Sequence, residues 1–185
     1  MNISVNMFGD LRAKGRVKDS IVKPKRLSHG TMEVFNLNES RRFYEEFLGL
    51  ETARHSPGAL TVSCANSWHI IAIESGAKLR PVHVFNHWGL DLETPEAVNE
   101  AHRAAHEHKD KFGIRSVWNP SFQHGIYSFY LEDLDHNWWE YQAYEGDQSE
   151  DLLDFGDRFT DEGKPLLWAQ PLRCVPKSVA YGRQI

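Results

Sequence analysis

The sequence reads LSHGTMEVFNLNESRRFYEEFLGLE over residues 27–51 and VFNHWGLDLETPEAVNEAHRAAHEHKDKFGI over residues 84–114. Each stretch has a short extended segment that carries a histidine, then a turn, then an amphipathic helix. Aligning His29 with His87 gives an offset of 58 residues (87 − 29). This self-similarity predicts a duplicated half-domain.

Three short extended segments follow each predicted helix. They read LETARHS, ALTVSCA and WHIIAIE in the first half, and IRSVW, YSFYLED and NWWEYQAY in the second. Each half is therefore a βαβββ module. We predict an α+β domain over residues 26–145, with modules at about 26–76 and 82–145, whose curled mixed sheet surrounds a shared site.

The ends of the chain differ in composition from this predicted domain. Residues 1–25 are polar and basic, which indicates a loose arm, and residues 146–185 form an extension that is first acidic and then aromatic. With 41% hydrophobic and 25% charged residues the chain has a globular composition, and its net charge of −5 argues against nucleic acid as a partner. No apolar run reaches the roughly 20 residues of a membrane helix. We expect a soluble cytoplasmic protein with no membrane partner.

Three residues are candidate metal ligands. His29 and His87 occupy matched positions in the repeat, and Glu140 follows Trp138 and Trp139 on the last predicted strand. Two imidazoles and one carboxylate hold Fe(II), Mn(II), Zn(II) or Ni(II) and leave one face of the ion open. The alternatives are a strand histidine without a functional role, and a glutamate that pairs with an arginine.

The same segments resemble a known family, the vicinal oxygen chelate superfamily, which includes glyoxalase I, bleomycin and fosfomycin resistance proteins and the type I extradiol dioxygenases. The resemblance covers roughly residues 27–145. HGTMEVFNLNESRRFYEEFLGLE is similar to the family's opening strand and helix, and YSFYLEDLDHNWWEY to its closing FYLRDPDGNxxE hairpin. Leu134 replaces the usual proline and His136-Asn137 replaces glycine-asparagine, whereas Glu140 keeps its place.

The number of ligands distinguishes members of that family. Glyoxalase-like enzymes carry a fourth ligand, a glutamate, on the last strand of the first module. The repeat aligns Trp68 with Trp138 and so puts Ile70 opposite Glu140 (140 − 70 = 70). Because isoleucine cannot bind metal, the pattern is most similar to the three-ligand site of the extradiol ring-cleavage enzymes.

Further segments resemble the catalytic parts of extradiol enzymes. WHIIAIESG is similar to the stretch that carries their acid–base histidine, which implies that role for His69. HGIYSFYLEDLDHNWWE is similar to the segment that carries a histidine and a tyrosine before the metal glutamate, which implies His124 and Tyr130. Tyr130 has the family's spacing of ten residues from Glu140 (140 − 130). His124 lies sixteen residues before Glu140 (140 − 124), about three fewer than the family's spacing for this histidine, which implies a shortened loop. The alternatives are an ordinary strand histidine and a half-buried sheet tyrosine.

Other histidines and aromatic residues are weaker candidates. His83 lies four residues before His87 and could compete with it, but the repeat favours His87. We expect the second helix to expose a solvated face that carries His102, His106 and His108. We expect the pocket to be lined by aromatic side chains, namely Trp118, Phe122, Tyr127 and Trp168.

The resemblance implies an Fe(II)-dependent extradiol (meta) ring-cleavage dioxygenase that acts on a catechol with O₂. Mn(II), Zn(II) and Ni(II) are alternative metals. Two other functions stay open: a glyoxalase-like isomerase, epimerase or thiol transferase, and a non-catalytic resistance protein that binds an aromatic ligand. We expect a homodimer or a higher homo-oligomer, because small modules of this kind pair their sheets.

Overall fold

The computed structural model describes residues 21, 27–64, 68–123, 126–144 and 160–164. The described residues from 27 to 144 belong to one compact unit. The expected basic arm and C-terminal extension lie outside the described residues, apart from Ile21 and a turn at 160–164. Within the described ranges no helix is both long enough and apolar enough to cross a membrane.

The described chain forms nine strands and three α-helices. The strands are β1 (His29–Val34), β2 (Glu51–Ser56), β3 (Ala59–Ser63), β4 (His69–Glu74), β5 (His87–Leu92), β6 (Ser116–Val117), β7 (Ser121–Gln123), β8 (Ile126–Glu132) and β9 (Trp138–Ala143). The helices are α1 (Leu37–Arg42), which continues as a π-helical turn over Phe43–Phe47, α2 (Pro95–Glu107) and α3 (Lys109–Phe112). Thr94 caps α2 by accepting a hydrogen bond from the backbone N–H of Ala97.

The strands form two sheets with the same internal order. The first sheet runs β1-β4-β3-β2 and the second runs β5-β9-β8-β6, with β7 also paired to β8. In each sheet the first and last strands of the module are parallel neighbours, and the other pairs are antiparallel. The prediction of an α+β fold with two modules is confirmed. The short strand β7 was not predicted.

One face of each sheet packs against the helices. Strand alternation buries Met32 and Val34 of β1 and leaves His29, Thr31 and Glu33 exposed on the other face. The core on the helix side is made of large apolar side chains, the most buried of which are Val34, Leu37, Phe43, Tyr44, Leu60, Val62, Val98, Phe129, Leu131 and Trp139. The opposite faces of the sheets are therefore left for a site.

The turn between β8 and β9 ties the second module to the first. Asp135 accepts hydrogen bonds from the backbone N–H of Phe35 at 2.8 Å and from the Ser40 hydroxyl at 2.6 Å. Asn137 donates from its side chain to the Glu33 carbonyl at 2.9 Å. His136, where the resembling family has glycine, adopts a φ of 63°. This turn keeps the left-handed backbone that a glycine would favour.

The edge strands β1 and β5 meet at Gly30. A Cβ atom at this position would lie 2.6 Å from Cη2 of Trp88 and 2.8 Å from Cη2 of Trp68. The two indole rings are themselves 5.5 Å apart. Only glycine leaves room for both rings, so this residue sets how closely the modules approach each other.

Candidate metal centre

His87 and Glu140 form the centre of the candidate site. The register of the second sheet pairs Glu140 with Gly89 of β5 and with Tyr130 of β8. Because His87 is two residues before Gly89 on β5, the side chains of His87, Glu140 and Tyr130 share one face of the sheet. Nε2 of His87 lies 3.2 Å from Oε2 of Glu140. Their side chains are 28% and 14% exposed, which leaves room for an ion to approach from one side.

The hydrogen bonds of His87 fix which ring nitrogen faces Glu140. Nδ1 lies 2.7 Å from the carbonyl oxygen of Val84, and a carbonyl only accepts, so Nδ1 carries the proton. Nε2 then faces a carboxylate oxygen 3.2 Å away, so a proton on Nε2 or a cation has to lie between the two atoms. This donor set fits a divalent transition metal, and the carbonyl contact is of the kind that orients metal-binding histidines.

Glu140 is held in place by two hydroxyl groups. Ser128 donates to Oε1 at 2.7 Å, and the Tyr130 phenol donates to the same carboxylate. Burial, then this hydrogen bond and the charge of Glu140, raise the pKa of Tyr130 to about 12. The phenol therefore keeps its proton at neutral pH. Its ring packs edge-on against His87, with the centroids 5.1 Å apart.

His29 and His69 lie together on the first sheet. They are directly paired across β1 and β4, and their rings stack with centroids 5.7 Å apart. The Ser28 hydroxyl lies 2.8 Å from Nδ1 of His29. The structure thus brings together two pairs of the predicted site residues, one on each sheet.

A cleft of about 510 Å³ has lining residues from both sheets. Thr31 and Glu33 of β1 contribute to it, as do His87 and Trp88 of β5. Across the described ranges, however, no group of three His, Cys, Asp or Glu side chains is close enough to hold one ion. The assignment of His29 as the third ligand therefore stays a prediction.

The strand register corrects the alignment of the two modules. Thr31 and Gly89 are the same position of the repeat, and their partners are Ile71 and Glu140. The equivalent of Glu140 is thus Ile71 (140 − 71 = 69), and the prediction of Ile70 was wrong by one residue. Ile70 instead lies in the core, where it is 7% exposed. The position of the fourth ligand still holds an isoleucine.

The aromatic residues that were expected to line the pocket lie on different sides of the second sheet. Trp118 contacts Tyr130 and Trp138, with ring centroids 5.7 and 5.3 Å apart, and so borders the candidate site. Tyr127 faces the other side of the sheet, where its hydroxyl donates to Asn99 of α2, and Phe122 packs against it. These two were wrongly expected to line the site. His124 and Trp168 lie outside the described residues.

Two features of the site were not predicted from the sequence. Ser128 contacts Glu140, and its position two residues before Tyr130 on the same strand was the available signal, since alternate residues share a face. Arg80 and Phe85 line the cleft beside His87, but they lie in an irregular segment with no sequence period. His83 lies within that segment, where its ring packs on Phe85 with the centroids 4.6 Å apart.

Comparisons with known proteins agree with this architecture. Residues 26–141 match the model of the Glyoxalase/Bleomycin resistance protein/Dioxygenase superfamily. No curated protein matches the chain significantly.

Solved structures with the same fold include fosfomycin resistance and glyoxalase-like proteins. A mutant of the fosfomycin resistance protein FosX from Listeria monocytogenes, in complex with Mn(II) and 1S,2S-dihydroxypropylphosphonic acid, is 21% identical, with a TM-score of 0.53 over 72% of this chain and 99% of that one. A hexagonal crystal form of FosX is 25% identical, with a TM-score of 0.50 over 69% and 98%. A possible glyoxalase from Bacillus cereus is 20% identical, with a TM-score of 0.52 over 63% and 96%. With two βαβββ modules and a family model that matches most of its length, the chain belongs to the glyoxalase/bleomycin resistance protein/dioxygenase superfamily.

Proposed function

We propose that the protein is an Fe(II)-dependent extradiol dioxygenase that cleaves a catechol ring next to its hydroxyl groups with O₂. The observation that carries the proposal is the arrangement of Nε2 of His87 and Oε2 of Glu140, which lie 3.2 Å apart. The carboxylate is further oriented by Ser128 and Tyr130. A divalent cation would take the place of a proton between these two atoms, with the ring and the carboxylate already oriented towards it.

In this proposal His87, Glu140 and His29 hold the metal. His29 enters on the resemblance and on its matched place in the repeat. A bound Fe(II) would supply a shared binding point for the catechol and O₂ and a route for electron density between them. The isoleucine at the fourth-ligand position supports a site with three protein ligands.

The neighbouring side chains of the site would position the substrate and move its protons. Tyr130 stays protonated at neutral pH, so it would be able to turn its O–H from Glu140 to a substrate oxygen when the substrate binds. His69 lies beside His29 and would act as base and then acid, since imidazole serves both roles near neutral pH. His124 is assigned a similar orienting role on the resemblance alone.

The cleft beside His87 offers contacts for a flat aromatic substrate. Phe85 contributes an exposed aromatic ring, and Arg80 and Glu33 contribute one positive and one negative charge. Trp118 adds a second ring next to Tyr130, outside this lining. A catecholate is planar and negatively charged, so it would stack on these rings and approach the cleft at Arg80. We also propose that the active form is a homodimer or a higher homo-oligomer.

The test is anaerobic reconstitution of the untagged chain with Fe(II), addition of a panel of catechols, and admission of air while absorbance and oxygen uptake are recorded. We expect a yellow product and equimolar uptake of oxygen and catechol. Glu140→Gln should abolish both, because the amide oxygen is a weaker ligand without charge. Glu93→Gln, which changes an exposed glutamate away from the cleft, is the matched control.

The alternative is a glyoxalase-like isomerase, epimerase or thiol transferase. It is favoured by the structural similarity to FosX, which was crystallised with Mn(II) and a dihydroxypropylphosphonic acid. No oxygen uptake with any catechol, together with metal binding that Glu140→Gln abolishes, would contradict ring cleavage and support this alternative. A chain that binds an aromatic ligand without any metal would contradict both and support a binding protein.

A further inference from the structure

Helix α2 carries a pair of histidines whose ring nitrogens converge. His102 and His106 are one helical turn apart, and their Nε2 atoms are 3.2 Å from each other. The rings meet edge-to-face, with centroids 4.7 Å apart. His106 is exposed, as expected for a solvated face, but His102 is half-buried. The expectation of a uniformly solvated face was therefore wrong at His102.

The surroundings of His102 hold its ring in this orientation. The ring packs edge-on against Phe129 of β8, with centroids 5.2 Å apart. It also makes a hydrogen bond with the main chain of Trp118 that favours the protonated ring, so a carbonyl accepts. Because Nε2 faces His106, Nδ1 is the nitrogen left to donate to that carbonyl. The Nε2 lone pair of His102 then points towards His106.

A backbone contact behind the ring keeps this lone pair in place. The carbonyl of Trp118 plays the part that backbone acceptors play behind metal-binding histidines.

We propose that His102 and His106 form a second metal site, which chelates one Zn(II), Ni(II) or Cu(II) ion through both Nε2 atoms. With metal–nitrogen bonds of about 2.0–2.1 Å, Nε2 atoms 3.2 Å apart subtend an angle of about 100° at the ion. That angle suits tetrahedral Zn(II) and is close to the right angle of Cu(II) and Ni(II). Water completes the coordination.

The site is independent of the proposed catalytic function. It uses none of the residues assigned to the candidate metal centre, and it lies on the helix side of the second sheet, where His102 packs against Phe129. The bound ion would link two turns of α2 and hold His102 against β8. It would thus stabilise the packing of this helix on the sheet.

The experiment is a calorimetric titration of the untagged full chain with Zn(II), Ni(II) and Cu(II), in a Glu140→Gln background that weakens the candidate metal centre. We expect one equivalent of metal to bind. His106→Gln in the same background should lower its affinity at least about tenfold, because a ligand is lost. His106 is exposed, so the glutamine should leave the fold intact, and far-ultraviolet circular dichroism verifies this.

The matched control is His108→Gln, which removes an exposed histidine at the end of the same helix. Its affinity should equal that of the parent. Thermal unfolding gives a second readout: Ni(II) should raise the Tm of the parent and of His108→Gln but not of His106→Gln. Equal metal affinity in His106→Gln and the parent, or equal losses in both histidine variants, would show that the contact is only a hydrogen bond between two imidazoles.

Discussion

Glu140 is constrained by three neighbours. Ser128 and Tyr130 donate hydroxyl hydrogen bonds, which orient the carboxylate. His87 approaches with a ring nitrogen, as a second ligand of the proposed metal would. Removing an orienting group should therefore act differently from removing a ligand, and the two effects can be measured separately.

We expect the single O–H of Tyr130 to turn from Glu140 to a substrate oxygen in the substrate complex. Tyr130→Phe should therefore lower kcat by about 10²-fold, because it removes this donor to the charge that develops on the substrate. The metal affinity should change much less, since both ligands on this sheet remain. Metal titration and turnover of the preferred catechol provide the two measurements. Tyr127→Phe is the matched control, because that hydroxyl binds Asn99 on the helix side. A parallel fall of metal affinity and kcat in Tyr130→Phe would contradict the separation.

The hydroxyl of Tyr141 is buried and has no hydrogen-bond partner among the described residues. Its ring stacks on Phe129 with centroids 4.8 Å apart, so the packing does not depend on the oxygen. Tyr141→Phe should raise the free energy of unfolding by about 1 kcal/mol, because it removes a desolvated polar atom. Urea denaturation measures this change. A less stable variant would indicate that the hydroxyl has a partner.

At the scale of elements, the turn between β8 and β9 contains a buried carboxyl group. Asp133 accepts from the backbone N–H groups of Asp135 and Asn137 and from the indole of Trp139. Burial, and then the charge of Asp135, raise the pKa of Asp133 to about 7. The stability of this turn therefore depends on whether Asp133 is protonated.

The direction of the resulting pH dependence follows from linkage. An unfolded aspartate has a pKa of about 3.9, so between that pH and about 7 the folded chain binds more protons at Asp133 than the unfolded chain. This group's contribution to stability should fall as pH rises through that window and level off above it. Urea midpoints from pH 5 to pH 8 for the wild type and Asp133→Asn isolate the effect. Asp133→Asn should lack this pH-dependent contribution to stability. Identical pH profiles of the urea midpoint in the wild type and the variant would refute the raised pKa of Asp133.

The junction of β1 and β5 gives a prediction about packing. Gly30→Ala would place a methyl group 2.6 Å from a ring atom of Trp88, and two indole rings would have to move. We expect a loss of about 1–3 kcal/mol in the free energy of unfolding, as is typical of overpacked sites. Gly58→Ala is the control, because its Cβ would meet nothing within 4 Å. Chemical denaturation of both variants provides the comparison.

At the scale of the whole molecule, the repeat was visible in the sequence because each module carries its own periodic pattern. The alternation in the sequence therefore placed His29 and His87 on the strand faces that they occupy in the structure. Ile71 was missed because the register of β4 depends on its pairing with β1, about 40 residues earlier, and composition does not encode a one-residue shift. The contact of His102 with Phe129 was missed for the same reason, since it joins a helix to a distant strand.

The parallel pairing of β5 with β9 has a consequence for how the protein matures. His87 and Glu140 are 53 residues apart in the chain (140 − 87), and they meet only when the first and last strands of the module have paired. Contacts of such long sequence separation form late and slow the search for the native state. A nascent chain whose β9 has not yet emerged from the ribosome therefore lacks the His87–Glu140 pair. Capture of metal by this pair would therefore report that the second module has finished folding.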